Sequence, residues 1–307
     1  MNKQEKDDLL VRVAWYYHKL ELTQKEVGEK LGLSRQKVQR LLKEAREKGI
    51  IKVQIENPKV NLLKIEEKLK DRYSLSDAVI APCPSSGDKL RDSLGRVAST
   101  HIRKLVENRD IDVLGTGWGR TLRAFVDHFQ PTVEKQNMDV VSLIGNLLTD
   151  TAVNPYEIAN TLARKLSANC YNIWAPSIVE DENSAEIFRQ EEWIRETLEK
   201  TEAADLLIVG LGPVSERATL YNLGYISNDD LETLQAQGAV GDILGRYFDE
   251  NGELVDLGLH ERVIASSFKQ IRDGKGDLIV VGGGDFKLDA MRGALKGDLI
   301  DVLITDE

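Results

Sequence analysis

The stretch Ile111-Asp112-Val113-Leu114-Gly115-Thr116-Gly117-Trp118-Gly119-Arg120-Thr121 decides the fold. Its first four residues form an apolar, β-branched run of strand length, and a helical pattern begins at about Leu122. A strand running through glycines into a helix is the turn of an α/β unit. Glycines let backbone approach an anion, and the helix start offers free N–H groups and a partial positive charge. Thr116 and Thr121 add hydroxyl donors, and Arg120 adds charge. The spacing is neither that of a dinucleotide-binding loop nor that of a nucleotide-triphosphate loop. The competing structural reading is a tight strand-to-helix turn with no ligand.

Outward from this loop, apolar runs of strand length recur at Ala78–Ala81, Val140–Ile144, Ala168–Trp174, Leu206–Val209, Leu278–Val281 and Val302–Ile304. Amphipathic stretches at Ser93–Val106, Tyr156–Leu166 and Leu288–Leu295 alternate with them. Buried parallel strands joined by helices are expected, which is a doubly wound α/β body. Three more runs end in glycines: Ile144-Gly145-Asn146, Val209-Gly210-Leu211-Gly212 and Val281-Gly282-Gly283-Gly284. In a parallel sheet these ends converge on one rim, where ligands bind.

Two further patches carry chemistry. In Gly241-Asp242-Ile243-Leu244-Gly245-Arg246-Tyr247-Phe248 a carboxylate sits in apolar surroundings and needs a partner, either a sugar hydroxyl or Arg246. Lys287, in Gly284-Asp285-Phe286-Lys287, meets a phosphate or hydroxyl, or is a surface lysine. For Asp242 the plain alternative is a solvated turn residue.

Upstream, the pattern is purely helical. Leu9, Leu10, Val13, Tyr16, Tyr17 and Leu20 form one stripe. Thr23 and Glu26 have capping-box spacing for a helix over Gln24–Leu31, which stops at Gly32. Ser34 caps a third helix that carries Val38, Leu41, Leu42 and Ala45 inward and ends at Gly49. Gly28 supplies the small residue that two crossing helices require, and Gly32 supplies a turn tolerant of positive φ. This is helix-turn-helix spacing. Arg35, Gln36, Lys37, Gln39 and Arg40 face outward. Arg35, Gln36 and Gln39 are placed to read base edges. Thr23, Gln24 and Lys37 suit phosphates, and Ser34 and Arg40 complete the DNA-binding candidates. A helical bundle with a merely solvated basic face is the competing reading. Ile50–Ile55 reads as a short strand or wing, Asn57-Pro58 breaks the pattern, and Leu62–Tyr73 reads as a linker helix. The expected domains are therefore a DNA-binding head at 1–56, a linker helix at 57–76, and an effector-binding and oligomerisation body at 77–307.

Charge distribution supports this division. The 307 residues carry a net charge of −10. Residues 1–55 nevertheless hold 13 Lys and Arg against 8 Asp and Glu, while the remainder holds 28 against 43. A basic head on an acidic body confines DNA contact to the head. No apolar run has the length of a membrane span, and the first residues, MNKQEKDDLL, contain no signal core. A cytoplasmic protein without membrane partners is expected. Cys83 and Cys170 lie far apart, and His18, His101, His128 and His260 show no ligand spacing, so neither a metal nor any other cofactor is expected.

The head, the loop Gly115–Thr121, the segment 241–248 and the C-terminal Lys287…Leu303-Ile304-Thr305-Asp306 together resemble the SorC family of sugar-binding transcription regulators. The branch they resemble includes the autoinducer-2 uptake repressor and polyol-operon regulators. The resemblance covers nearly the whole chain. It implies a winged helix-turn-helix, an effector domain related to phosphosugar isomerases and deaminases, and a dimer or tetramer on operator DNA. It also implies a sugar, polyol or phosphosugar effector. Thr116, Gly117, Gly119 and Thr121 would hold a phosphate, Asp242 and Lys287 would meet hydroxyls or phosphate, and Phe248 would shape the pocket. Asn146 and Asn154 join the same set. Trp118 and Arg120 depart from the family pattern by bringing a ring and a cation into the loop.

The functional expectation is an effector-controlled regulator, released from DNA on binding its ligand. A phosphosugar isomerase or deaminase with a regulatory head is the alternative. It would need a base beside the reacting carbon, and the Asp-Gly-Ala-Asp-Glu segment of ribose-phosphate isomerases is not found. A constitutive DNA binder whose body serves only assembly is the third reading.

Overall fold

The structure is a computed structural model, and it describes residues 3–52, 59–84, 87–147, 154–255 and 257–307. The chain forms two compact units, Met1–Val60 and Asn61–Glu307.

The first unit contains α1 (Lys3–His18), α2 (Gln24–Leu31) and α3 (Arg35–Glu47). Its core is the apolar set Leu10, Val13, Val27, Val38, Leu41, Leu42 and Ala45, all buried. Thr23 caps α2. The Glu26 N–H donates to Thr23 Oγ1 at 3.3 Å, and the Thr23 N–H donates to Glu26 Oε2 at 2.8 Å. These bonds hold the Glu26 carboxyl below its usual range. Ser34 Oγ accepts from the Lys37 N–H at 3.2 Å and so fixes the start of α3. Gly28 lies against the Leu33 carbonyl, where a Cβ would collide, and Gly32 turns the chain at φ 65°. Of the strand or wing expected over Ile50–Ile55, Ile50, Ile51 and Lys52 are described and form no strand. The rest, with Asn57 and Pro58, lies outside the described residues.

α4 (Lys59–Tyr73) begins at the end of the first unit and runs into the second, where the linker helix was expected. Its Leu69 and Tyr73 pack on the body's core, and its Glu66 accepts from the Ile80 N–H at 2.9 Å. The main sheet consists of β1 (Asp77–Ala81), β2 (Val113–Thr116), β3 (Asp139–Ser142), β4 (Asn169–Tyr171), β5 (Leu206–Val209), β9 (Asp277–Val281) and β10 (Val302–Asp306). Its order is β1-β10-β9-β5-β2-β3-β4, and every pairing is parallel.

Alternate residues of each strand serve opposite layers. Leu207 and Val209 of β5 belong to one core, with Leu278 and Val280 of β9. Leu206, Ile208, Ile279 and Val281 belong to the other. That is why these strands read as unbroken apolar runs. The second layer packs against α5 (Gly87–Asn108), α6 (Arg120–His128) and α7 (Pro155–Leu166). The first packs against α10 (Asn228–Ala236) and α11 (Leu288–Lys296). The sheet is doubly wound, as the sequence pattern indicates. α8 (Glu182–Gln190) and α9 (Glu192–Glu202) form a smaller apolar cluster with Ile173 and Ile264.

Several strand boundaries differ from expectation, among them the end of β3 at Ser142 instead of Ile144 and of β10 at Asp306 instead of Ile304, and at β2 and β4 the reason is local. β2 starts at Val113, not Ile111, because the Asp205 carboxylate takes the N–H groups of Asp112 and Val113 at 2.9 and 3.0 Å. The strand then runs through Gly115 and Thr116, so the loop proper begins at Gly117. β4 ends at Tyr171, short of Trp174, and the Ile173 N–H goes to Ser142 Oγ at 2.8 Å rather than to the ladder.

An antiparallel sheet of β6 (Gly212–Pro213), β7 (Gly241–Ile243) and β8 (Arg246–Phe248) was not anticipated. β7 and β8 form a hairpin whose turn residues, Leu244 and Gly245, both have positive φ, 53° and 74°. A leucine there hides the hairpin from sequence reading, since asparagine or glycine is usual. Among the described residues, no helix is long and apolar enough to cross a membrane.

Candidate functional site

The head presents a groove lined by Gln24, Gln36, Gln39, Arg40, Lys43 and Arg46, with Leu42 at its base. The spacing of 36, 39, 40, 43 and 46 along α3 is that of one helix face. Arg35, Arg40 and Arg46 form no ion pair among the described residues. Glu44 is engaged by Lys6 at 2.6 Å and Asp7 by Lys48 at 2.7 Å, away from the groove, whereas Glu47 lies 4.0 Å from Lys43 of the groove. Of the sequence candidates, Gln24, Gln36, Gln39 and Arg40 line the groove. Arg35 is exposed at the N-terminus of α3, Lys37 is half-buried, and Thr23 and Ser34 act as caps. Lys43 and Arg46, one and two turns further on, were missed. The helical period alone would have found them.

In the body, the sheet order sets the second site. From β2 the chain winds outward through β3 to β4, returns to β5 beside β2, and winds the other way through β9 to β10. The reversal between β2 and β5 opens a crevice at their carboxyl ends. A cavity of about 170 Å3 lies there. A cavity of about 150 Å3 holds a benzene-sized molecule, so this one suits a small ligand, not a dinucleotide.

Three strand ends and the hairpin build the cavity wall. From β2 come Trp118, Gly119, Arg120, Thr121 and Leu122; from β5 come Gly210–Pro213 and Arg217. From β9 come Gly283, Phe286 and Lys287, and from the hairpin Asp242 and Leu244. Leu90, Arg91 and Leu94 of α5 close one side. Gly119, at φ 121°, precedes α6 in a conformation that disfavours a side chain.

Asp242 is the one carboxylate of the wall among the described residues and is only 7% exposed. Burial pushes its carboxyl up to about 6, against the opposing pull of the Gly245 N–H, which donates at 3.1 Å, and of the Lys287 charge. Gly212 lies directly across the antiparallel pairing from Asp242, and any Cβ there would overlap the carboxylate. Burial pulls the Lys287 ammonium down to about 8, partly offset by Asp242. The phenyl ring of Phe286 has Lys287 Nζ at 5.8 Å and the Arg217 guanidinium at 5.6 Å from its centre. Arg246 faces away, donating to the carbonyls of His260 and Val263, and so is no partner for Asp242.

The cavity gathers Trp118, Gly119, Arg120, Thr121, Asp242 and Lys287 from the sequence candidates. The others lie outside its wall. Gly115 and Thr116 are strand residues, with Gly115 against Leu143 and Thr116 fully buried. The Gly117 N–H bonds the Ile208 carbonyl at 2.8 Å, beneath Leu244. Gly145 packs against the carbonyls of Ala175 and Pro176, and Asn146 donates to the Ile173 carbonyl. Asn154 caps α7 and donates to the Leu147 carbonyl. Phe248 is core, against Gly241 and Gly293. Sequence reading missed Leu90, Arg91, Leu211, Arg217, Leu244 and Phe286. Among the described residues no group of histidines, cysteines and carboxylates gathers to hold a metal.

Comparison with known proteins gives this geometry a setting. Residues 57–307 match the sugar-binding domain family, and residues 8–71 match a Crp-like helix-turn-helix domain. The chain is 31% identical to the erythritol catabolism regulatory protein EryD of Brucella abortus, over 98% of this chain and 94% of that protein. It is 33% identical to the transcriptional regulator LsrR of an Enterobacter species, over 98% and 91%. The fold matches the full-length sorbitol operon regulator SorC of Klebsiella pneumoniae with a TM-score of 0.75, covering 98% of this chain and 97% of that one at 24% identity. These relatives are regulators, and the enzyme alternative gains no support from them.

Proposed function

We propose a function from one premise: this chain belongs to the sugar-binding domain family of helix-turn-helix transcription regulators. It is a DNA-binding transcription regulator. Within that family we assign it to the SorC branch, with a head at 1–56, a linker helix at 57–76 and an effector body at 77–307. The head reads operator DNA through Gln36, Gln39 and Arg40, with Arg35 at the helix start and Lys43 and Arg46 on phosphates. The body binds a phosphorylated sugar or polyol. Gly119, Arg120 and Thr121 hold the phosphate at the N-terminus of α6, Asp242 accepts from hydroxyls, and Lys287 completes the charge. Names borne by the relatives, erythritol catabolism and sorbitol operon, favour a polyhydroxy effector. Effector binding shifts the arrangement of subunits and releases DNA. A homo-oligomer, dimer or tetramer, belongs to the same proposal, since paired heads match paired half-sites.

The observation that carries this reading is the position of the cavity. A glycine loop, a buried carboxylate and several cations meet where the winding of the sheet reverses. A thermal-shift screen against sugars, polyols and their phosphates tests it. A ligand present at 100 times its Kd stabilises the folded body by about 2.7 kcal/mol, on the order of 5–10 °C. Lys287→Ala is expected to remove most of that shift. A broad panel that moves nothing would overturn the sensor assignment and leave the DNA-binding half standing.

A further inference from the structure

Helix α1 is apolar on two faces, and the head's core uses only one. Leu10 and Val13 point inward and are buried against Val38, Leu41 and Leu42 of α3. On the other face Val11 is 51% and Trp15 55% exposed. With Asp8 and His18, also exposed, they form a stripe spaced by three, four and three residues. That is the spacing of a helix–helix seam. A helix with apolar residues on opposite faces is built to pack on both.

The charges beside the stripe indicate what covers it. Asp8, His18 and Lys19 form no ion pair among the described residues. Asp8 and Lys19 are eleven residues apart. On a helix they lie about 16 Å apart along the axis but only about 20° apart around it, on the same flank of the stripe. Within one copy they cannot meet. A two-fold axis between Val11 and Trp15, with the helices antiparallel, brings them together twice. Each Val11 then meets the other copy's Trp15, and each Asp8 meets the other copy's Lys19, with His18 beside it. The stripe lies across α1 from α3, so this pairing leaves both copies of α3 outermost. Helices pack about 8–10 Å apart, which separates the two α3 helices by roughly 25–30 Å, the scale of one turn of DNA.

We propose that the heads pair through α1, with a second copy of this chain covering the Val11–Trp15 face. The proposal rests on the homo-oligomer reading above and names the surface that joins the heads. One helix face buries less than the roughly 800 Å2 per partner of a standard interface, so the seam closes where the body or DNA already brings two copies together.

Charge reversal in the full chain tests it. The readout is affinity for a duplex selected in vitro with two half-sites, relative to the same duplex with one half-site scrambled. The unmodified protein is expected to favour two half-sites by about a hundredfold or more. Asp8→Lys and Lys19→Glu should each cut that advantage by about fivefold to tenfold, and the two together should restore it. Trp15→Glu should abolish most of the advantage while leaving affinity for the single half-site unchanged. Rescue by the double reversal identifies a contact between copies, since the two positions are out of reach within one. Losses that add without rescue, or an advantage that survives Trp15→Glu, would overturn the proposal and leave the oligomer standing. A full chain that sediments as a monomer, both free and on the duplex, would overturn both.

Discussion

The two recognition surfaces of this protein are built in opposite ways. The head's groove comes from one helix and its neighbour, with side chains three and four residues apart and exposed to water. The cavity of the body comes from strand ends more than 150 residues apart, and of its charged groups Asp242 is buried and Lys287 half-buried, while Arg120 and Arg217 stay exposed at its mouth. The consequence is electrostatic. Asp242 and Lys287, facing each other in the cavity wall, move toward each other, to about 6 and about 8. A surface built to follow a phosphate backbone keeps its cations in water. A cavity built to choose one small molecule holds its charges at a desolvation cost that the ligand relieves.

The most severe break of this comparison removes the head's readers alone. Gln36→Ala with Arg40→Ala is expected to weaken specific DNA binding by about two orders of magnitude or more, at roughly 1–3 kcal/mol per base contact. Anisotropy of a labelled duplex measures this. The effector-induced thermal shift should be unchanged, and a shift that fell as well would mean the two regions are not separable. Gly212→Ala makes the matching break in the body. Its methyl group would displace the Asp242 carboxylate, costing about 1–3 kcal/mol of stability and weakening effector binding by tens of times. Thermal unfolding and calorimetry read the two effects separately.

A third test sharpens the contrast through pH. Lys287 is charged below about 8 and neutral above it, and an anionic ligand needs the charged form. Effector affinity is therefore greatest between about pH 6, below which Asp242 is protonated, and about pH 8, and it falls as pH rises further, by at most about tenfold per pH unit for a single proton. The ligand's phosphates are already fully ionised there, so they contribute nothing to this limb. Lys287→Arg should flatten it. The smallest expected effect is in the head, where Thr23→Ala removes the capping box of α2 and costs about 1 kcal/mol, seen as earlier melting of the head's helices.

The same contrast explains what the sequence revealed. Thr23, Gly28, Gly32 and Ser34 act on residues within a few positions of themselves, so caps, turn and crossing could be read directly, and α2 has the expected bounds. The doubly wound sheet was legible because strands buried on both faces are apolar throughout. The cavity was legible only where it keeps a local signature, at Trp118–Thr121, Asp242 and Lys287. Arg217 and Phe286 carry no such signature, since their meeting depends on β5 and β9 being neighbours. Thr116, Gly145 and Asn154 bore a glycine-loop or polar signature, yet the ladder, a close carbonyl approach and a helix cap account for them.

The central claim is that a ligand in the body's cavity controls the head's hold on DNA. The direct measurement is fluorescence anisotropy of a duplex selected in vitro for binding to the full chain, titrated with the sugar or polyol phosphate that gives the largest thermal shift. Release of the duplex from the unmodified protein is expected, and no response at the same ligand concentration from Gly212→Ala or Lys287→Ala. A duplex that stays bound while the cavity is saturated would contradict it.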